Sequence, residues 1–337
     1  MDLMEFVKNK AKKNPVKIAF PEAEDVKMLT AISISAEEGY CFPLVMGNLD
    51  EIKKLCKENN IKDDKFEYVD FKDEKLQEDV LKKYLKEPNV IFGEKSLRKR
   101  MENPIYFALM MEKIGMVDVT FGGITSTTGD IIFAAQAMIG LKDGLDVVSS
   151  VGIAELPDYT FADGGHLIAV GDCAVCQNPS SNELASIAIT TCDTIKSVTG
   201  WTPRCALLSY STLGSGQGDL IDKVTKAVEI ANEKRPDLFI EGEFQLDSAI
   251  VPEVAAKKVK KESNVAGQAN ILIFPDLNAG NIGVKLIQQF GHSNAYGPLL
   301  QGFSKICCDC SRSAPVEELV GNIVFSVVRA GDLKNEK

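Results

Sequence analysis

Ser311-Arg312, with Glu317 and Glu318 close behind, is the set of side chains in this sequence best suited to chemistry. A carboxylate can take a proton from a thiol or hydroxyl, an arginine can hold an anionic oxygen, and a serine can donate to a developing anion. Taken alone, Ser-Arg followed by two acids also describes a helix N-terminus whose first-turn acids suit the macrodipole. Two Gly-rich segments add anion-binding character. Ser209-Tyr-Ser-Thr-Leu-Gly-Ser-Gly-Gln-Gly218 lies between a strand-like and a helix-like run, so Ser211, Thr212, Gly214 and Ser215 are candidates to bring hydroxyls and backbone N–H groups to a ligand. The segment lacks the Gly-Lys-Ser/Thr ending of a P-loop, and a plain strand-to-helix turn has the same look. Asn278-Ala-Gly-Asn-Ile-Gly283 reads as a similar loop, with Lys285 one turn into the next helix; Asn281, Gly283 and Lys285 are candidates there.

Cys173-Ala-Val-Cys176 and Cys307-Cys-Asp-Cys310 have spacings found in zinc and iron–sulfur sites. Neither His166 nor His292 has ligand spacing, so the expectation is packed thiols and no metal. The nine cysteines are odd in number and mostly sit inside apolar segments. That pattern points to reduced thiols in a cytoplasm rather than a disulfide framework.

The elements that must position these groups follow from periodicity. Strands are expected at Val16–Phe20, Phe42–Met46, Phe66–Phe71 and Val117–Phe121. Helices are expected at Val26–Glu38, Glu51–Asn59, Asp73–Lys86 and Glu94–Ile114, with Pro88 between the last two and a kink at Pro104. This βαβα rhythm argues for a parallel sheet with helices on both faces. From about Val147 the texture changes. Tyr159–Asp163 and His166–Asp172 read as a hairpin through Gly164-Gly165. Ser180 to Glu183 has capping-box spacing ahead of a helix. Cys205–Tyr210, Leu238–Gly242 and Asn270–Phe274 read as strands, and Asp219–Lys234 as a periodic helix. The basic run Lys257–Lys261 reads as a solvated face.

The 337 residues suggest two domains: one over about 1–145 joined by 301–337, and a second over 146–300. A net charge of −10 argues against nucleic acid or an anionic membrane as partner. No apolar run approaches the roughly 20 residues that span a bilayer, and acidic residues break the apolar start, so no leader is expected. Only six arginines are present, which gives weight to Arg312 in its Ser-rich loop.

The ordered motifs resemble the phosphotransacylase family. They are Phe20-Pro-Glu-Ala-Glu-Asp25, Asp172-Cys-Ala174, Ala206-Leu-Leu-Ser-Tyr-Ser-Thr-Leu-Gly-Ser215, Glu241-Gly-Glu-Phe-Gln-Leu-Asp247, Val251-Pro-Glu-Val254, Phe274-Pro-Asp276, Ala279-Gly-Asn-Ile-Gly283, Gly297-Pro-Leu-Leu-Gln-Gly302 and Asp309-Cys-Ser-Arg312. The resemblance implies an α/β protein of two doubly wound three-layer (αβα) domains, with the active site in the cleft between them, and a cytoplasmic homodimer. It implies exchange of a short acyl group, acetyl foremost, between coenzyme A and phosphate, with no metal and no tightly bound cofactor. Carried over by position, Ser311 and Arg312 match the family's Ser-Arg, and Glu318 falls on its catalytic aspartate. Lys86, Ser126, Thr127, Gln301 and Gly302 join the expected substrate contacts, and Ile132 falls where the family has a phosphate-binding arginine. That loss leaves a second reading open: a phosphotransacylase-like chain with altered activity, acyl transfer through Cys307, Cys308 or Cys310, or a non-catalytic subunit that binds coenzyme A.

Overall fold

The computed structural model describes residues 2–161 and 165–335. In chain order, residues 2–143 form α1 (Leu3–Lys13), β1 (Val16–Phe20), α2 (Val26–Glu37), β2 (Cys41–Met46), α3 (Leu49–Glu58), β3 (Glu67–Val69), α4 (Glu74–Tyr84), α5 (Glu94–Arg100), α6 (Pro104–Lys113), β4 (Val119–Gly122) and α7 (Thr128–Met138). Residues 144–302 form β5 (Ser149–Glu155), β6 (Leu167–Gly171), α8 (Ser181–Thr199), β7 (Arg204–Leu208), α9 (Asp219–Lys234), β8 (Phe239–Phe244), α10 (Leu246–Ile250), α11 (Pro252–Lys258), β9 (Ile271–Ile273), α12 (Leu277–Phe290) and β10 (Asn294–Gln301). The chain then adds β11 (Ile306–Asp309) and α13 (Val316–Asn335). Two compact units result: 144–302, and 2–143 with the segment from Phe303 onward.

The unit holding both ends is built on one five-stranded sheet of order β11-β4-β1-β2-β3, parallel throughout. Its strands are apolar on both faces, as a covered parallel sheet requires: Ile18, Ala19 and Phe20 are fully buried. Helix α13 packs against α1 and α2, and α6 packs against α4 and α7. The chain winds β1–β2–β3 to one side and returns to β4 and β11 on the other. The strand order therefore reverses between β1 and β4, and the carboxyl ends at such a reversal are where open α/β sheets hold ligands.

The other unit carries a six-stranded sheet of order β10-β5-β6-β9-β7-β8. β10, β5 and β6 pair antiparallel, and β6, β9, β7 and β8 parallel. α8 begins with the expected capping box, Ser180 and Glu183 each bonding the other's backbone. α9 and the strands expected before and after it lie where periodicity placed them.

Three expectations are corrected. The helix expected over Glu94–Ile114 is two helices, because Pro104 takes the first position of α6 and Asn103 caps it through Ile105 N at 2.8 Å. The strand over Leu167–Gly171 pairs with β5 instead, with Val151 opposite Gly171; Phe161 makes an isolated bridge to Gly165, and the end of the first arm, residues 162–163, with Gly164 of the turn, lies outside the described residues. The Asn278–Gly283 loop is helical, because Asp276 caps α12 by accepting from Ala279 N at 3.0 Å and starts the helix before the glycines. Helices α1 and α7 and strand β5 were not expected from periodicity.

Candidate active site

β11 ends at Asp309, and the chain turns through Ser311 and Arg312 into α13. Ser311, Arg312 and Ser313 are exposed, and Glu318 lies exposed in the first turn of α13. The turn is fixed from beneath: the Lys27 ammonium on α2 donates to the carbonyls of Arg312 (3.0 Å) and Ala314 (3.2 Å). Ser311 Oγ lies 3.0 Å from Ser313 Oγ. The Glu318 carboxyl is partly shielded by protein atoms, and this desolvation pushes its pKa above the ordinary glutamate value. A carboxylate with a raised pKa is a better proton acceptor near neutral pH.

Beside this turn, β4 ends in Gly122-Gly123 and the chain runs through Thr125, Ser126 and Thr127 into α7. Thr127 caps α7 in a reciprocal box with Asp130. Hydrogen bonds from Thr127 hold the Asp130 carboxyl below its ordinary range, and the positive charge of Arg312 adds to the effect, which places Arg312 near the start of α7. Thr128 Oγ1 donates to Asp309 Oδ2 at 2.6 Å, tying α7 to the end of β11. Burial raises the Asp309 pKa to about 6, and its Oδ1 is buried without a hydrogen-bond partner among the described residues. Gly123 has φ +101°, and a Cβ there would overlap the Asp309 carboxyl, so only glycine lets these two ends meet. Glu22, two residues past β1, gathers the loop: it accepts from Gly123 N (2.6 Å), Ser126 N (2.9 Å), Ser126 Oγ (2.6 Å) and the Thr125 hydroxyl.

In the other unit the Ser209–Gly218 segment does join β7 to α9. Ser211 and Thr212 are buried, and their hydroxyls are engaged inside the unit. Ser211 Oγ donates to Glu243 Oε1 at 2.8 Å, and Thr212 Oγ1 donates to Ser248 Oγ at 3.1 Å. Glu243 also accepts from Gly214 N at 2.7 Å. Leu213 is held at φ 46°, a left-handed conformation uncommon for a side chain with a Cβ. Gly214 and Ser215 remain exposed, and an open pocket of about 690 Å³ adjoins the loop between Gly214, Thr225, Glu243 and Lys261.

Asn281 and Lys285 are exposed on α12. Gly280 seats the helix against the backbone at the end of β6, where a Cβ would collide with the Asp172 carbonyl, and Gly283 lies against the Phe274 ring. Asn281 Nδ2 donates to Cys173 O at 3.3 Å. Asp172 in turn accepts from Ala174, Val175 and Cys176 N at 2.7–3.3 Å.

Gln301 is among the expected substrate contacts, and its amide is engaged inside its own unit. It is 1% exposed, and its amide donates to Ser149 Oγ (3.0 Å) and Thr191 Oγ1 (2.8 Å), bracing β10 against β5 and α8. Gly302, with φ +100°, passes so close to Val147 that a Cβ would clash. Lys86 is exposed in the turn after α4, and among the described residues its ammonium makes no hydrogen bond or ion pair to the Ser311–Glu318 turn. Ile132 is half-buried in the second turn of α7.

The thiols do not fit a nucleophile. Cys307, Cys308 and Cys310 are buried, and desolvation pushes all three pKa values up, Cys308 to about 12. They stay protonated at neutral pH, and a neutral thiol is a poor nucleophile. Among the described residues no group of three or more His, Cys, Asp or Glu side chains is arranged to hold a metal.

Sequence reading missed Lys27, Asp309, Glu22, Asp172 and Glu243. Glu22 and Glu243 share a signal: an acid near the end of an apolar run, paired in space with a Gly/Ser/Thr turn.

A ligand-holding strand reversal, an exposed Ser-Arg turn and a desolvated carboxylate describe an acyl- or phosphoryl-transfer α/β protein. Residues 2–327 match the model of the phosphate acetyl/butaryl transferase family. The chain is 40% identical over 334 residues to a phosphate acetyltransferase of Clostridium acetobutylicum, covering 98% of this chain and 99% of that one. The fold matches a phosphotransacetylase from Streptococcus pyogenes with a TM-score of 0.90 and 32% identity, over 97% of this chain and 98% of the other. It matches a second, from Staphylococcus aureus, with a TM-score of 0.89 and 32% identity over 98% of each. The chain belongs to the phosphate acetyl/butaryl transferase family and is an acyltransferase.

Proposed function

We propose that this chain exchanges an acetyl group between coenzyme A and inorganic phosphate, in the cytoplasm and without a tightly bound cofactor. The observation that supports the reading is that Ser311 and Arg312, on the turn after β11, and Glu318, in the first turn of α13, are all exposed. In the proposed mechanism Glu318 takes the proton from the coenzyme A thiol, and the thiolate attacks the carbonyl of acetyl phosphate. Arg312 holds phosphate oxygens, and Ser311 donates to the oxyanion as charge develops. Phosphate leaves with the bonding electrons, and the reverse direction retraces these steps. The N-terminus of α7, framed by Ser126 and Thr127, is assigned to phosphate, which such a terminus favours; the Ser126 donors are held by Glu22 and those of Thr127 by Asp130, so these two residues shape the terminus rather than donate to the anion.

A non-catalytic role is less favoured, because similarity to phosphate acetyltransferases runs almost the full length of the chain. The test mixes acetyl, propionyl or butyryl phosphate with coenzyme A and follows thioester absorbance. Formation with acetyl phosphate supports the reading; no thioester from any of the three overturns it.

We also propose that the chain works as a homodimer through α12. Val284 and Ile287 pack against the core of their own unit, while Ile282 (58% exposed), Leu286 (51%) and Phe290 (79%) form a second stripe facing out. A helix apolar on both sides is normally covered on both, and a second copy of the chain is the proposed cover.

A further inference from the structure

We propose that Glu22 is a positioning residue of the acyl-transfer site. It sets the Gly123–Thr127 loop for phosphate without touching substrate itself. Glu22 is 7% exposed and follows β1 at the reversal of strand order. Four donors converge on its carboxylate, two backbone N–H groups and two hydroxyls, all from a loop about 100 positions away in sequence. A buried carboxylate held by several N–H and O–H groups restrains its donors, and here release of the buried Gly123 N–H would strand a polar group away from water. The loop so fixed leads into α7. There Thr127 forms the helix cap and Thr128 reaches Asp309, two residues before Ser311. Glu22, just past β1, thus holds the loop after β4, and the same loop reaches the end of β11 through the separate Thr128–Asp309 bond. Displacement of a substrate-holding loop by about 1 Å can cost on the order of 100-fold in rate.

The inference rests on the assignment of the α7 N-terminus to phosphate, and the experiment separates the two. Glu22→Gln keeps the size of the side chain. Its amide oxygen can still face the Thr125 and Ser126 donors, while its NH2 faces Gly123 N–H in place of an acceptor. E22Q, S126A and the parent are compared for thermal midpoint and for kcat and KM of each substrate. Expected for E22Q is a folded protein with KM for coenzyme A within twofold of the parent, and kcat over KM for acetyl phosphate lower by roughly 10- to 100-fold. S126A is expected to fall in the same parameter. If S126A loses activity while E22Q matches the parent in every kinetic constant, the positioning role is overturned. If both match the parent, the phosphate assignment fails and the positioning role with it. Should E22Q fail to fold, Thr125→Val removes one of the four donors, and unchanged kinetics in that variant also overturn the role.

Discussion

Arg312 is one of only six arginines and is presented to solvent on a turn whose carbonyls Lys27 holds, so its guanidinium is free to meet an anion. A charge-assisted bond to phosphate contributes about 1.5–3 kcal/mol, so R312Q should lower kcat over KM for acetyl phosphate by roughly 10- to 150-fold in the thioester assay. Glu318 must be ionised to take a proton from the thiol. Desolvation raises its pKa, so the acid limb of the pH–rate profile should lie above the ordinary glutamate value, with the rate rising as pH increases through it. E318Q should abolish that limb and lower kcat by about 10²- to 10⁴-fold; an unchanged limb would assign it to another group. As candidates, Ser311 and Arg312 stood out in the sequence because a Ser-Arg pair precedes two acids, and Glu318 was singled out from Glu317 only through the resemblance. Glu22 was not, since its donors lie at Gly123–Ser126 and only the β1–β4 pairing brings them near.

At the scale of elements, β11, β4 and α7 meet at Asp309. Burial raises its pKa from 3.8 to about 6, so the folded state binds the proton more tightly than the unfolded chain. Asp309 therefore costs no stability below about pH 4, destabilises progressively as pH rises to about 6, and exerts its full cost above. D309N should be more stable than the parent at pH 7 by roughly 1–3 kcal/mol, with the difference vanishing near pH 4, as read by denaturant unfolding at several pH values. G280A should be destabilised by about 1–3 kcal/mol, because the new methyl meets the Asp172 carbonyl under α12. The βαβα rhythm was legible because parallel strands here are short apolar runs between amphipathic helices. The misreadings came where one residue outweighed periodicity: Pro104 began a helix rather than kinking one, and Asp276 capped α12 ahead of Asn278. The β5–β6 pairing was hidden for another reason, since a nearer Gly-Gly pair offered a tight turn that local sequence favours.

For the whole molecule, two sheets of different order each bring a Gly/Ser/Thr turn under the control of a buried glutamate, Glu22 in one unit and Glu243 in the other. The α12 stripe argues for assembly: sedimentation should report a dimer for the parent and a monomer for the double variant I282E/F290E, whereas a parent monomer would remove the proposal. The two-unit plan was legible from the change of texture near Val147, but the outward apolar stripe was not, because Ile282 fell in the segment read as a loop, while Leu286 and Phe290 fell in a helix whose two faces the sequence does not assign to core or surface. The central claim is that the turn from β11 into α13 carries out acyl transfer. It is tested most directly by measuring thioester formation from acetyl phosphate and coenzyme A for the parent, R312Q and E318Q side by side. The account predicts steady turnover by the parent and losses of at least about tenfold in both variants. An inactive parent, or three equal rates, would contradict it.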